Sequence, residues 1–195
     1  MGKINLDSLM SLEAYSKQRS DIRAGVMAHK KNRNVLLGDH VTLIFEDEQT
    51  IRYQVQEMLR AEKIFEEAGI QEELDAYNPL IPDGSNWKAT MMIEYEDIEE
   101  RRRKLTQLVG IEDRVWIQVA GFDRVFAIAD EDLERATEEK TSAVHFLCFE
   151  LGSTMSKALK EGAGLSMGID HPNYQTKLDP VPPAIRKSLL NDLRS

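Results

Sequence analysis

In the segment from Thr50 to Phe65 an ionisable side chain falls where a folded chain rarely tolerates one. At helical period, Ile51, Val55, Met58, Leu59 and Phe65 share one apolar stripe, and Glu62 lies in its middle. Gln54 sits at the edge of that stripe, and Glu57 on its flank between Ala61 and Ile64. A carboxylate turned toward a core is costly unless a cation pairs with it or a proton neutralises it. An upstream helix supplies the cation: Arg19 stands within the stripe of Tyr15 and Ile22, with Arg23 beside it. The pattern predicts a buried Arg19–Glu62 ion pair. Such a pair is either a strut between two helices or the charged lining of a pocket for a ligand or metal.

The histidines divide by their neighbours. His145 shares a strand face with Leu147 and Phe149, which suits a satisfied core imidazole, a metal ligand or a proton carrier. His171 belongs to Asp170-His171-Pro172-Asn173-Tyr174, where an acid, an imidazole and a phenol follow an expected strand; a functional loop and a proline turn both fit. His29 and His40 have polar surroundings and receive no role. Cys148, among large apolar residues, reads as an inert buried thiol.

Spacing excludes several centres. No histidine has a glutamate three residues before it, as a ferritin-like di-iron site requires, and His-Glu-x-x-His is absent. A metal site assembled from Glu57, Glu62, His145 and His171 is open to the chain, but no spacing motif stands behind it. Gly162-Ala163-Gly164 with Gly168 follows a helix and precedes a strand, the reverse of a dinucleotide loop. The basic runs Lys30 to Arg33 and Arg101 to Lys104 offer charge to an anion or an acidic partner, although Glu99-Glu100 makes the second a salt-bridged helix face. Neither a Gly-x-Ser-x-Gly elbow nor a Walker loop is found.

Positioning these residues requires helices and strands in alternation. A first helix is expected from Asp7 or Ser8 to about His29, then two short strands, Val35–Leu37 and Val41–Phe45, turned at Gly38-Asp39. A second helix from about Asp47 to Ala68 stops at Gly69, and a short one covers Gln71 to Ala76. Trp87, Ala89, Met91, Ile93 and Tyr95 alternate with polar or flexible residues as in a half-buried strand. Glu96 to Leu108 is a charged helix, and Arg114–Ala120 with Arg124–Ala129 form a hairpin around Gly121-Phe122-Asp123. After a charged stretch from Asp130 to Lys140, Ser142–Leu151 is apolar on both faces and is expected as a central strand. A helix over Ser153–Glu161, a strand over Leu165–Ile169 and a helix over Pro182–Leu193 close the chain. The fold class is α+β: one domain over residues 1–195, with a mostly antiparallel sheet that crossover helices allow to be mixed.

Composition sets the outer limits. The 195 residues include 34 acids against 25 bases, a net charge of −9, with 42% apolar residues and one cysteine. That is enough apolar material for a core. One cysteine excludes a disulfide framework and a self-contained iron–sulfur cluster, so a redox centre would come from a partner or from carboxylates and histidines. The acidic excess argues against general binding of nucleic acid. The amino-terminal residues lack the apolar run of a signal peptide, and no run approaches the roughly 18 residues of a membrane span. The expected location is the cytoplasm.

Several segments together resemble a bacterial family catalogued as a domain of unknown function. They are Tyr15 with Arg19, Lys30–Arg33 leading to Gly38, Phe45-Glu46 with Thr50, Gln54 to Glu62, Tyr77 to Pro82, and Asp170 to Tyr174. The resemblance covers nearly the whole chain. It implies genes that often neighbour those of rubrerythrin and an iron–sulfur oxidoreductase, and hence work near peroxide detoxification or electron transfer. It carries no assigned catalytic residues. Two functions follow as expectations: an accessory or binding protein of a redox system that does no chemistry itself, or a small metal-binding protein or enzyme. The second would use Arg19, Gln54, Glu57, Glu62, His145, Asp170, His171 or Tyr174. Self-association is compatible with either.

Overall fold

The strand alternation builds two layers. A computed structural model of the chain describes residues 2–129 and 140–194. Most of the charged stretch beginning at Asp130 therefore lies outside the described residues. Within them, strands β1 (Asn34–Leu37), β2 (Val41–Phe45), β3 (Asn86–Ile93), β4 (Val115–Val119), β5 (Val125–Phe126), β6 (Ile128–Ala129), β7 (Val144–Glu150), β8 (Leu165–His171) and β9 (Tyr174–Leu178) form two sheets. One has the order β1-β2-β3-β7-β6 and the other β5-β4-β8-β9, with antiparallel pairing throughout. The α+β class stands, and the sheets are antiparallel rather than mixed. Inner faces meet: Leu37, Leu43, Met91 and Leu147 pack with Ile117, Met167 and Ile169 in one core. Period-two alternation puts every second residue of each strand there.

The expected hairpin at 114–129 is only half formed. Val125 and Phe126 pair with β4, but Ile128 and Ala129 pair with β7 in the other sheet. The buried Ala127 is the crossing point, and its N–H still donates to the Val115 carbonyl at 2.8 Å. Strands at the corner of a sandwich change sheets in this way, which keeps both halves bonded.

Helices α1 (Leu12–Lys30), α2 (Glu48–Glu62) and α3 (Glu67–Tyr77) form a layer with its own apolar core of Ile4, Ile51, Val55, Leu59, Leu74 and Ile81. α1 begins after Ser11, whose hydroxyl accepts from the Ala14 N–H, and the expected Asp7–Ser8 start is a separate 3-10 turn. α2 ends earlier than Gly69: Lys63 takes a left-handed conformation (φ 56°) and its N–H bonds the Leu59 carbonyl. That turn brings Ile64 back onto the helical core, an apolar closure that outweighs the conformational penalty. Helices α4 (Ile98–Gln107), α5 (Ser153–Lys160) and α6 (Pro183–Leu190) complete the described chain. No helix among the described residues is long and apolar enough to cross a membrane.

Gly25, in the middle of α1, is exposed, and a Cβ there would meet nothing within 4 Å. Gly25→Ala is therefore expected to stabilise the protein by about 0.5–1 kcal/mol, read as a raised urea midpoint at constant slope. An unchanged midpoint would show that α1 gains nothing from added helix propensity.

Candidate functional site

α1 and α2 run antiparallel and meet along a polar seam. Tyr15, Arg19, Arg23, His29 and Lys30 on α1 face Asp47, Tyr53, Glu57 and Arg60 of α2 and its cap. At one end, the Arg19 guanidinium grips Glu57 bidentately, Nε to Oε1 at 2.8 Å and Nη2 to Oε2 at 2.7 Å. The buried Tyr15 hydroxyl donates to the same Oε1 at 2.7 Å, and Arg60 Nε lies 3.6 Å away. Arg19 thus has a carboxylate partner, but it is Glu57 and not Glu62, and the pair is half-buried at the edge of the helix seam rather than in a core. Glu62 is the last residue of α2 and exposed. A helical wheel fixes the angle of a residue and not its height, and Arg19 lies level with Glu57.

These contacts set the charges. Arg19's hydrogen bonds, reinforced by Tyr15, hold the Glu57 carboxyl at about 2, below its ordinary 4.5. Burial, followed by the bond to Glu57, pushes the Tyr15 phenol well above its usual value. A depressed carboxyl stabilises the fold above its unfolded pKa. The contribution of Glu57 is therefore complete above about pH 4.5 and disappears as pH falls toward 2. Glu57→Gln is expected to cost roughly 1–2 kcal/mol at pH 7 and to flatten the acid side of the stability profile, whereas Glu62→Gln leaves the melting temperature unchanged. Equal effects of the two would overturn the assignment.

At the other end of the seam is a more deeply buried cluster. Arg33 is 1% exposed and Asp192, just after α6, is 2% exposed. Their atoms Nη2 and Oδ2 are 2.5 Å apart, and Nη1 also reaches Oδ1 at 3.3 Å. Arg33 further donates to the Phe45 carbonyl at 2.8 Å and the Glu46 carbonyl at 3.0 Å. Asp47, the N-cap of α2, lies 3.5 Å from Arg33 and 2.5 Å from His29 Nε2. Glu46 accepts from the Thr50 hydroxyl at 2.5 Å and the Thr90 hydroxyl at 2.7 Å. Chemically, this is an imidazole oriented by a buried carboxylate beside a fixed guanidinium.

The remaining candidates are placed apart. Gln54 is half-buried on α2. His145 faces inward from β7, its Nε2 at 2.9 Å from the Thr141 hydroxyl and 3.0 Å from the Ser142 carbonyl. Asp170 on β8 meets Arg114 and Arg124. The run Asp170 to Tyr174 is a hairpin turn, with Pro172 and Asn173 between the paired His171 and Tyr174. His171 contacts the Val109 carbonyl at 3.1 Å and accepts from the Asn173 N–H. Tyr174 donates to the Leu37 carbonyl at 2.6 Å and accepts from the His40 N–H at 3.0 Å, clamping the β1–β2 turn. Cys148 is half-exposed on the outer face of its sheet and not enclosed between layers. Its thiol stays protonated, pushed up to about 11 by burial and the bond to Glu150. Among the described residues, no group of three or more His, Cys, Asp and Glu side chains is disposed to hold a metal ion.

Residues 3–193 match the family model described as "Protein of unknown function (DUF3501)". The chain belongs to the DUF3501 family. It is similar to a crystal structure described as a novel protein of unknown function from Burkholderia pseudomallei K96243, with 58% identity, a TM-score of 0.94, and coverage of 99% of this chain and 100% of that one. No curated protein matches it. In this DUF3501 chain, sequence reasoning missed His29, Arg33, Asp47 and Asp192. One signal pointed to Arg33: it continues inward the alternation of Val35 and Leu37, so its side chain faces the core.

Proposed function

We propose that this DUF3501 protein is a cytoplasmic accessory protein that binds a redox enzyme, a rubrerythrin or an iron–sulfur oxidoreductase, and supplies a surface rather than a reaction. The observation that carries the reading is the outer face of the five-stranded sheet. Leu36 on β1 and Ile128 on β6 are each 59% exposed on that face, at its two opposite edges. Between them lie Ile44 and Met92, which belong to neither hydrophobic core. Exposed apolar side chains on a sheet with open edges suit a partner that adds surface or a strand. The charged candidates meanwhile hold helices and sheets together. The resemblance in gene neighbourhood supplies the class of partner.

The test uses a rubrerythrin and an iron–sulfur oxidoreductase, each purified separately and mixed with this protein at micromolar concentration. Co-elution that Leu36→Glu abolishes, with an unchanged melting temperature, supports the proposal. Separate elution of every pair would sink it. A second reading, a small enzyme or metal-binding protein, draws on the His29–Asp47 contact, since a carboxylate that orients an accessible imidazole is a general-base arrangement. A transition metal in untagged protein, lost in His29→Ala, would favour it.

A further inference from the structure

The cations of the α1–α2 seam outnumber the carboxylates that serve them. Glu57 is shared by two guanidiniums. Its Oε1 accepts from the Tyr15 hydroxyl at 2.7 Å and from Arg19 Nε at 2.8 Å, which fills both lone pairs of that oxygen. Arg60 Nε lies 3.6 Å from the same oxygen, drawn there by charge but outside hydrogen-bond reach. It is the one buried side-chain nitrogen or oxygen among the described residues that has no hydrogen-bond partner. The Arg60 side chain as a whole is 39% exposed, so the group reaches solvent while its Nε sits in a corner whose acceptor is taken. An unmet donor of this kind calls for a reason.

Two more cations continue the line. Arg23 stands one helical turn beyond Arg19, and its Nη1 donates to the Tyr53 hydroxyl at 3.2 Å. Lys30 lies over the Tyr53 ring, 6.0 Å from its centroid. Neither has a carboxylate within ion-pair distance among the described residues. Asp47 is already held by His29 and Arg33, and Asp21 falls on the opposite side of α1 from Arg19 and Arg23. Arg60, Arg19, Arg23 and Lys30 therefore form a row of positive charge on a protein whose net charge is −9. One carboxylate and one tyrosine hold these side chains in place without neutralising them. Cations fixed in this way lose less conformational freedom when a ligand arrives.

We propose that this row docks an acidic segment of a partner protein, with carboxylates that recur at about one helical turn. Arg19 and Arg23 are roughly 6 Å apart along the helix axis, which is the spacing such a segment presents. An arriving carboxylate gives Arg60 the acceptor that Glu57 cannot spare, and guanidinium groups take carboxylates through paired hydrogen bonds. A nucleic acid fits less well, because its phosphates run past the row onto a protein of net negative charge. The inference goes beyond the sheet-face reading and does not rest on it: the row lies on α1 and α2 and suits any partner with such a segment.

Fluorescence anisotropy tests it at low ionic strength, with a labelled peptide in which glutamate recurs every fourth residue among alanines. Saturable binding, weakened about threefold by Arg23→Gln or Arg60→Gln and about tenfold by both together, supports the proposal. The control pair Arg101→Gln with Arg103→Gln removes the same charge from α4 and should leave the affinity nearly unchanged. Arg60→Gln should also keep the melting temperature, since its Nε bonds nothing. A loss as large as that of Glu57→Gln would make Arg60 a strut and overturn its role here. No saturable binding, equal binding of the peptide with glutamine for glutamate, equal weakening by the α4 pair, or tighter binding of an oligothymidylate of the same charge would each overturn the proposal. Leu36→Glu, which tests the sheet face, should leave peptide binding unchanged, so the two readings fail separately.

Discussion

Asp192→Ala should destabilise the protein by about 3–5 kcal/mol at pH 7, because it leaves the Arg33 guanidinium buried without its closest counter-ion. Replacing both partners by apolar residues often restores stability, but here it should not. Arg33 also satisfies the Phe45 and Glu46 carbonyls and faces Asp47, so Arg33→Met strands acceptors that Asp192 never touched. The double variant Arg33→Met with Asp192→Leu is therefore expected to stay near the stability of Arg33→Met alone, measured by urea unfolding. Recovery to wild-type stability would show that the cluster is an isolated pair. The pH dependence has its own sign. Burial raises the Asp192 carboxyl to about 6, against the opposing pull of Arg33. A raised carboxyl binds its proton more readily in the folded state, so its contribution is fullest below the unfolded pKa and is lost as pH rises through about 6. The gap between wild type and Asp192→Ala should therefore widen from pH 7 to pH 4, the reverse of the trend for Glu57→Gln.

What the sequence reveals of this arrangement depends on how local the cause is. The strand β3 is legible because Trp87, Ala89, Met91 and Ile93 alternate, and all four are buried. That Arg19 meets an acid on the facing helix is legible from one helix face, although the side chain is a third exposed and not buried as its stripe suggests. The identity of that acid is not: Glu57 and Glu62 differ by five residues, roughly 7.5 Å along a helix axis, and nothing local fixes which turn of α2 lies level with Arg19. The crossing at Ala127 depends on a sheet that does not exist until the sandwich closes. His29 looks polar and unoccupied because its partner, Asp47, reads as an ordinary helix cap; both roles are true at once. Arg33 and Asp192 are 159 positions apart, and only tertiary structure brings them together.

Gly168→Ala should cost toward the upper end of about 1–3 kcal/mol, although it adds one methyl group. Gly168 sits on β8 directly across from Trp116 on β4 and Lys177 on β9. A Cβ there would fall 2.5 Å from the Trp116 ring and would press on the Thr176 carbonyl oxygen. The backbone oxygen cannot yield without breaking the β8–β9 ladder, so the ring must move. It is also held on its other side: Arg124 stacks over it at 4.1 Å, and Arg124 reaches Asp170 at 3.6 Å. Displacing Trp116 therefore loosens a chain of contacts that keeps the outer face of the four-stranded sheet closed. The expected signature is a lowered melting temperature with a red-shifted tryptophan emission from a more hydrated ring. Arg124→Ala, which opens the ring to water without the clash, should give the spectral shift with a smaller loss of stability. If Gly168→Ala kept both stability and emission, the close approach of ring and strand would not be what selects glycine at this position.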